Sequence, residues 1–187
     1  MQYKIPRSVL VVIHTPSLLV LLLERAPWPG YWQSVTGSVE RTDEPLRDTA
    51  IREVAEETGL AAERHALVDW GIENTYEIYR QWRSRYAPGV THNVEHVFGL
   101  TLPEPLPVRL APKEHSQALW LPWRAAADKC FSWSNRDAIL ALPARLAAGA
   151  GQATTWPACT SLIADYFPAE QRARAYGIFA MGGSIGI

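Results

Sequence analysis

The chain has 187 residues, 48% of them hydrophobic, and its 18 Lys and Arg against 19 Asp and Glu leave a formal net charge of −1. That allows one globular domain of ordinary size with an appendage, and the lack of a basic excess argues against nucleic acid as the main partner. Cys130 and Cys159 have neither metal-like nor framework spacing, which fits a reducing cytoplasm.

Lys4 and Arg7 precede an apolar run, Val9 to Ile13, but His14, Pro16 and Glu24-Arg25 interrupt it too soon for a signal peptide. Val9 to His14 and Leu18 to Leu23 read as buried strands, joined as a hairpin through Thr15-Pro16-Ser17. Ala26 to Gly30 is a loop, and Tyr31 to Thr36 is a further strand.

A helix follows. Asp43 or Glu44 is placed to cap it, Pro45 suits its first position, and Gly59 suits a left-handed C-terminal position. The interval is roughly fourteen residues, near the common helix length. Leu46, Ala50, Glu53 and Glu57 recur at the spacing of a core-facing stripe. Two carboxylates thus occupy positions where apolar residues belong, with Glu56 one step round the helix. Carboxylates crowded at a buried edge repel one another and lose solvation. A hard divalent cation with oxygen ligands removes both problems. Arg52, four residues before Glu56, is placed to pair with it. A run of Glu and Arg is usually a solvated face; the stripe positions and the end signals argue against that here.

After the helix, Ala66 to Asn74 reads as a strand and Tyr76 to Trp82 as another. Arg83 to His92 is a loop, Val94 to Leu102 a strand, and Trp120 to Trp123 closes the sheet. Trp133 to Leu146 reads as a second helix with Ser132 or Ser134 as its cap. Strands flanking two helices give an α/β arrangement, and there are no internal repeats. Composition shifts after Leu146: Ala147 to Gly151 is linker-like. The expected division is therefore residues 1–148 and a tail of 149–187.

The stretch Gly37-Ser38-Val39-Glu40-Arg41-Thr42-Asp43-Glu44, continued to Arg52-Glu53-Val54-Ala55-Glu56-Glu57-Thr58-Gly59-Leu60, resembles the Nudix box. That box is G-x5-E-x7-R-E-U-x-E-E-x-G-U, with U aliphatic. Here the loop after Gly37 is one residue longer, or Asp43 takes the acidic slot. The resemblance implies an α/β/α sandwich around a mixed sheet and cleavage of diphosphate linkages with magnesium or manganese. It implies metal binding at Glu53 and Glu57 with Glu56 close by, and Glu114 as a further ligand or the base. Glu53, Glu57, Glu114 and Arg52 are the expected catalytic set. Residues Thr154 to Ile187 resemble a loop and helix start of major facilitator transporters, but their apolar run of about a dozen residues is too short to span a bilayer. An amphipathic C-terminal helix packed on the domain is the equal alternative; the transporter resemblance would instead imply a fused or truncated reading frame with a tail lacking function of its own.

Other segments resemble the bacterial dihydroneopterin triphosphate diphosphatase branch of the Nudix family: Tyr31 to Glu40, Arg85 to Thr91 with Asn93, and Ser132 to Arg136. This resemblance covers about residues 3–146. It implies hydrolysis of dihydroneopterin triphosphate to the monophosphate and pyrophosphate in folate biosynthesis. Lys4 and Arg25 would meet the triphosphate. Thr36, the strand Tyr76-Glu77-Ile78-Tyr79 and Ser132 would line the pocket. Without the resemblance, Lys4 and Arg25 are ordinary surface charges, the tyrosines strand aromatics, and Ser132 a helix cap. Trp28, Trp120, Trp123 and Trp133 read as core or loop anchors rather than ring stackers. The alternatives are clean-up of nucleoside triphosphates by the same box, a non-catalytic nucleotide sensor, and a transporter fragment.

Overall fold

The structure, a computed structural model, describes residues 3–148. The chain divides into two compact units, Met1–Pro143 and Ala144–Ile187. The expectations for residues 149–187, and for Cys159, fall outside the described residues. Ala147 and Ala148, read as linker, are helical. Among the described residues, no helix is long and apolar enough to cross a membrane.

Seven strands form one mixed sheet: β1 (Arg7–His14), β2 (Leu19–Arg25), β3 (Trp32–Gln33), β4 (Val35–Ser38), β5 (Ala66–Glu77), β6 (His92–Thr101) and β7 (His115–Pro122). The path runs β3-β2-β1-β6-β5, with β4 on β1 and β7 on β2. Only β1 and β6 pair in parallel; the other ladders are antiparallel. β1 is buried along almost its whole length, as its continuous Val-Leu-Val-Val-Ile run requires of a central strand. The β1–β2 hairpin closes where the sequence indicates, with Leu18 in the left-handed region at φ 64. Its strands part beyond His14, because β4 takes the other end of β1, pairing Ser8 to Val11 with Ser38 to Val35.

Helix α1 spans Leu46–Thr58. Ala50 and Val54 pack against Val9, Val11, Leu21, Phe98 and Leu100 of the sheet. The helix ends at Gly59, φ 71, whose N–H donates to the Ala55 carbonyl. Its start differs from the expectation. Pro45 is the N-cap, and neither Asp43 nor Glu44 caps the helix with its side chain, since both carboxylates are engaged elsewhere. The sheet is flanked by this helix, by the short α2 (Trp123–Lys129) and by α3, residues 133–148. Ser132 does cap α3: its Oγ accepts the Asn135 N–H at 3.4 Å.

Three further expectations are corrected. Residues 66 to 82 do not form two strands; β5 runs unbroken to Glu77 through a bulge between Asp69 and Ile72. Gly71, φ 62, makes that bulge, and its N–H donates to Asp69 Oδ1. The bulge shifts the alternation midway, which makes one strand look like two. Beyond Glu77 the chain turns into a 3-10 helix, Arg80–Arg85, where Arg83 Nε reaches back to the Ile78 carbonyl at 3.1 Å. The sheet closes at His115 rather than Trp120, because Ser116 and Gln117 on this edge strand hide the apolar pattern. Trp123 opens α2, whose seven residues are too few for periodicity to register.

Candidate functional site

The inner face of α1, the β4 strand before it and the ends of β1, β5 and β6 enclose a cavity of about 1120 Å³. Arg52 organises its acidic end. Its Nε donates to Glu44 Oε1 at 3.2 Å, Nη1 to Glu53 Oε1 at 2.8 Å and Glu56 Oε2 at 3.4 Å, and Nη2 to the Ser38 carbonyl at 3.1 Å. Burial works against the guanidinium charge, but bonds to Glu44 and Glu53 overcome it and raise its pKa. Glu44 also accepts the Glu40 N–H at 2.6 Å; burial opposes its charge, yet that bond and Arg52 hold its pKa low. Asp43 points to solvent with Arg41. Glu44 therefore occupies the acidic slot, and the loop from Gly37 is one residue longer than the box.

Glu53 and Glu57 face inward from α1, only 9% and 3% exposed. Gly37 of β4 lies so close that any side chain there would overlap the Glu53 carboxyl. Burial, aided by Glu57 and Glu56, raises the Glu53 pKa to about 7 against the pull of Arg52. Burial likewise raises Glu57, opposed by His115 and reinforced by Glu114. His115 Nε2 lies 3.2 Å from Glu57 Oε2, but without hydrogen-bond alignment, and neither ring nitrogen has another partner. Glu57, Glu114 and His115 each offer a ligand atom within 4.8 Å of the others. An orphaned buried carboxylate oxygen, a strained carboxylate pair and a third carboxylate at the mouth suit a divalent cation. Glu56 stands apart, exposed beside Arg52.

The basic residues gather round this end. Lys4 sits at the mouth, accessible yet surrounded by protein; that crowding and Arg85 lower its pKa. Arg25 lies against the rings of Trp28 and Trp82, at 5.2 and 5.3 Å, and donates to Gln33 Oε1 at 3.2 Å. Burial lowers its pKa while Glu57 draws it back.

Of the expected pocket residues, Thr36, Tyr76, Glu77, Tyr79 and Ser132 line the cavity together with Gly37. Thr36 Oγ1 accepts from Gln33 Nε2 at 3.1 Å. The Tyr76 hydroxyl accepts from Asn93 Nδ2 at 3.1 Å, and burial raises its pKa. Ile78 is corrected: it is buried and off the wall, pointing away as strand alternation from Tyr76 and Glu77 breaks down. Trp28 and Trp133 line the cavity, whereas Trp120 and Trp123 do not.

Sequence reasoning missed Trp82, Arg85, Asn93, Glu95, His115, Phe131 and Asn135. Trp82, Tyr79 and Phe131 meet edge to face or tilted at 5.2 to 6.2 Å, a cluster with no local signal. Glu95 did leave one: it is an acid on the inward phase of a strand, as Glu53 and Glu57 are on a helix. It is 3% exposed, and burial raises its pKa to about 7 although Ser134 and Asn74 donate to it.

Clustered buried carboxylates ringed by cations, at the end of a mixed sheet, define a metal-dependent cleft for a polyanionic substrate. The family model of the NUDIX domain matches residues 4–142, and the chain belongs to the Nudix hydrolase family. Nudix hydrolases use divalent metal ions. The chain is 45% identical over 140 residues to dihydroneopterin triphosphate diphosphatase of Escherichia coli, covering 73% of this chain and 91% of that enzyme. To the enzyme of the same name from Haemophilus influenzae it is 41% identical over 143 residues, 74% and 88% of the two chains. The solved E. coli dihydroneopterin triphosphate pyrophosphohydrolase superposes with a TM-score of 0.69 at 44% identity, over 74% and 95% of the chains. A Caenorhabditis elegans Ap4A hydrolase, at 21% identity and TM-score 0.59 over 76% and 98%, shares the fold. A Major Facilitator Superfamily model also matches residues 118–187, overlapping β7 and α2.

The raised carboxylates make a prediction for stability. Between the ordinary 4.5 and about 7, folded Glu53 and Glu95 hold protons that the unfolded chain has released. Stability of the metal-free protein therefore falls as pH rises through that window. A divalent cation replaces the protons at Glu53. Thermal unfolding with millimolar magnesium chloride should show a larger rise in Tm at about pH 8 than at about pH 5. Equal shifts at both would refute binding at Glu53.

Proposed function

We propose that this protein hydrolyses dihydroneopterin triphosphate to dihydroneopterin monophosphate and pyrophosphate, with magnesium or manganese as its ion, in folate biosynthesis. The observation that carries this reading is the 45% identity spanning nearly all of the E. coli enzyme, together with a cleft lined by Glu53, Glu56 and Glu57 of the box. A triphosphate substrate and two cysteines without framework spacing fit the cytoplasm.

Glu53, Glu57 and Glu114 would hold the cation. When bound, it neutralises phosphate oxygens and makes water more acidic. The chain's own residues do the rest. Lys4, Arg25 and Arg85 receive the phosphates at the mouth. Arg25 rests on Trp28 and Trp82 and donates to Gln33, so its guanidinium is oriented before the substrate arrives. Arg52 fixes the direction of Glu53 and keeps Glu44 ionised. Glu57 and Glu114 are the two carboxylates placed to take the proton of the attacking water. Thr36, Tyr76, Tyr79 and Ser132 line the remainder of the pocket.

Glu53→Gln and Glu57→Gln should each lower kcat by about 10²- to 10³-fold with the fold intact. Steady-state rates at saturating magnesium, with circular dichroism as the control, measure this. Glu114→Gln in the same assay separates the candidate bases. Near wild-type turnover in the first two variants would overturn the metal assignment.

Substrate choice is read in kcat/KM. Dihydroneopterin triphosphate should exceed each common nucleoside triphosphate, since a pocket built for one hydrogen-bonding edge rejects others. Equal cleavage of deoxyadenosine or deoxycytidine triphosphate would favour the nucleotide clean-up reading instead.

The hydrolase is proposed to be residues 1–148, with 149–187 adding nothing to the site. Every site residue lies at or before Asn135. A chain ending at Gly149 should keep full turnover; loss of activity would assign the tail a part in the enzyme.

A further inference from the structure

A row of polar side chains crosses the sheet. Ser38 of β4 pairs with Ser8 of β1, Ser8 with Glu95 of β6, and Glu95 with Asn74 of β5. Cross-strand partners share a face, and Ser38, Ser8 and Glu95 all line the cavity. Gly37, next in β4, abuts Glu53. Glu95 therefore stands two strands across from β4.

Glu95 is 3% exposed, and its Oε2 has no hydrogen-bond partner. Ser134 and Asn74 donate to the carboxyl group, but among the described residues no Lys, Arg or His pairs with it. A buried carboxylate oxygen without a donor is costly. No second acid or imidazole acts on its charge, so nothing beside it would share a metal with it. The cleft cations surround the other carboxylates. Below about pH 7 a proton relieves it, and above that a ligand that brings its own N–H groups does. Tyr76 and Trp133, which line the same cavity, give it flat apolar surface for a ring.

We infer that Glu95 reads the base end of the substrate, accepting hydrogen bonds from a ring N–H and the adjacent exocyclic amino group of a 2-amino-4-oxopyrimidine. Two parallel N–H donors match two carboxylate oxygens. Uracil and thymine place carbonyls on either side of their ring N–H, and cytosine and adenine place a ring lone pair beside the amino group. Only a pterin or a guanine, among these rings, offers both donors side by side. The inference rests on the triphosphate reading above and adds the edge by which the ring is chosen. Glu95 is thus a specificity-determining residue, remote from the bond that breaks.

The test compares four triphosphates in kcat/KM: dihydroneopterin, guanosine, inosine and cytidine. A slow substrate is read as an inhibition constant against the best one. Inosine lacks only the exocyclic amino group, so wild type should favour guanosine over inosine by about ten- to a hundredfold. Glu95→Gln, which turns an amide donor toward the donor edge, should bring that ratio close to one. It should lower dihydroneopterin triphosphate by a similar factor and leave cytidine triphosphate equal or better, since an amide matches an amino group beside a ring lone pair. A wild type blind to the amino group, or a variant that lowers all four substrates in proportion, would overturn the assignment. The wild-type ratio needs no variant, and Glu95→Asp serves if the glutamine form does not fold. The pterin and guanine arms identify which ring the edge belongs to. If dihydroneopterin triphosphate is no better than cytidine triphosphate while the guanosine preference holds, the proposed substrate falls and Glu95 stands. If dihydroneopterin triphosphate leads but both ratios survive Glu95→Gln, Glu95 falls and the substrate stands.

Discussion

The bond from Arg52 to Glu53 is the contact on which the rest of the site depends. It holds a carboxylate on the buried face of a helix, where burial alone would leave it protonated. The same guanidinium reaches Glu44 and the Ser38 carbonyl, so one side chain ties the helix to the loop before it and to β4. Gly37 is the other half of the arrangement. Its missing side chain is the space that the Glu53 carboxyl fills. The helix can therefore lie close on the sheet, with Ala50 and Val54 against the core, and still present acids at its far end. Packing and ligand placement are solved by the same turn of chain.

This explains why strain is concentrated here. Glu53 and Glu57 repel each other, and both are pushed above the usual carboxylate range. Glu57 Oε2 and both ring nitrogens of His115 are buried without aligned partners. A folded chain tolerates such groups where a ligand completes them. The stability that the acidic cluster forgoes is returned on binding a cation, which links folding, pH and metal in one equilibrium.

The rest of the cleft separates two kinds of recognition. Charge dominates one end, where Lys4, Arg25 and Arg85 surround the acids. Hydrogen bonding dominates the other, where Ser8, Tyr76, Asn93 and Ser134 surround Glu95. The sheet keeps the two ends apart, since β4, β1 and β6 are rigid neighbours at fixed spacing. The aromatic wall of Trp28, Trp82, Tyr79 and Phe131 joins them and holds Arg25 in place.

The acidic stripe of α1 was legible in the sequence because a helix has one period. Glu53 and Glu57 fall in phase with Leu46 and Ala50 whatever the helix packs against. The central strands were legible for a similar reason, as only a doubly buried strand tolerates a run like Val9 to Ile13. The family pattern extended this to Lys4, Arg25, Thr36 and Ser132, all of which face the cavity. Other features depend on how distant segments meet, and no local pattern encodes that. The choice of Glu44 over Asp43 was made by Arg52, eight residues on. The continuity of β5 was made by the β6 ladder across the Gly71 bulge. Ile78 was lost to the pocket when the strand ended at Glu77. Trp82, Phe131 and Arg25 come from three separate loops and strand ends, so their cluster exists only once the sheet has closed. Glu95 could be seen as an acid in a strand, but its unpartnered oxygen could not. Whether a buried group finds a partner is decided by the neighbours that tertiary structure brings to it.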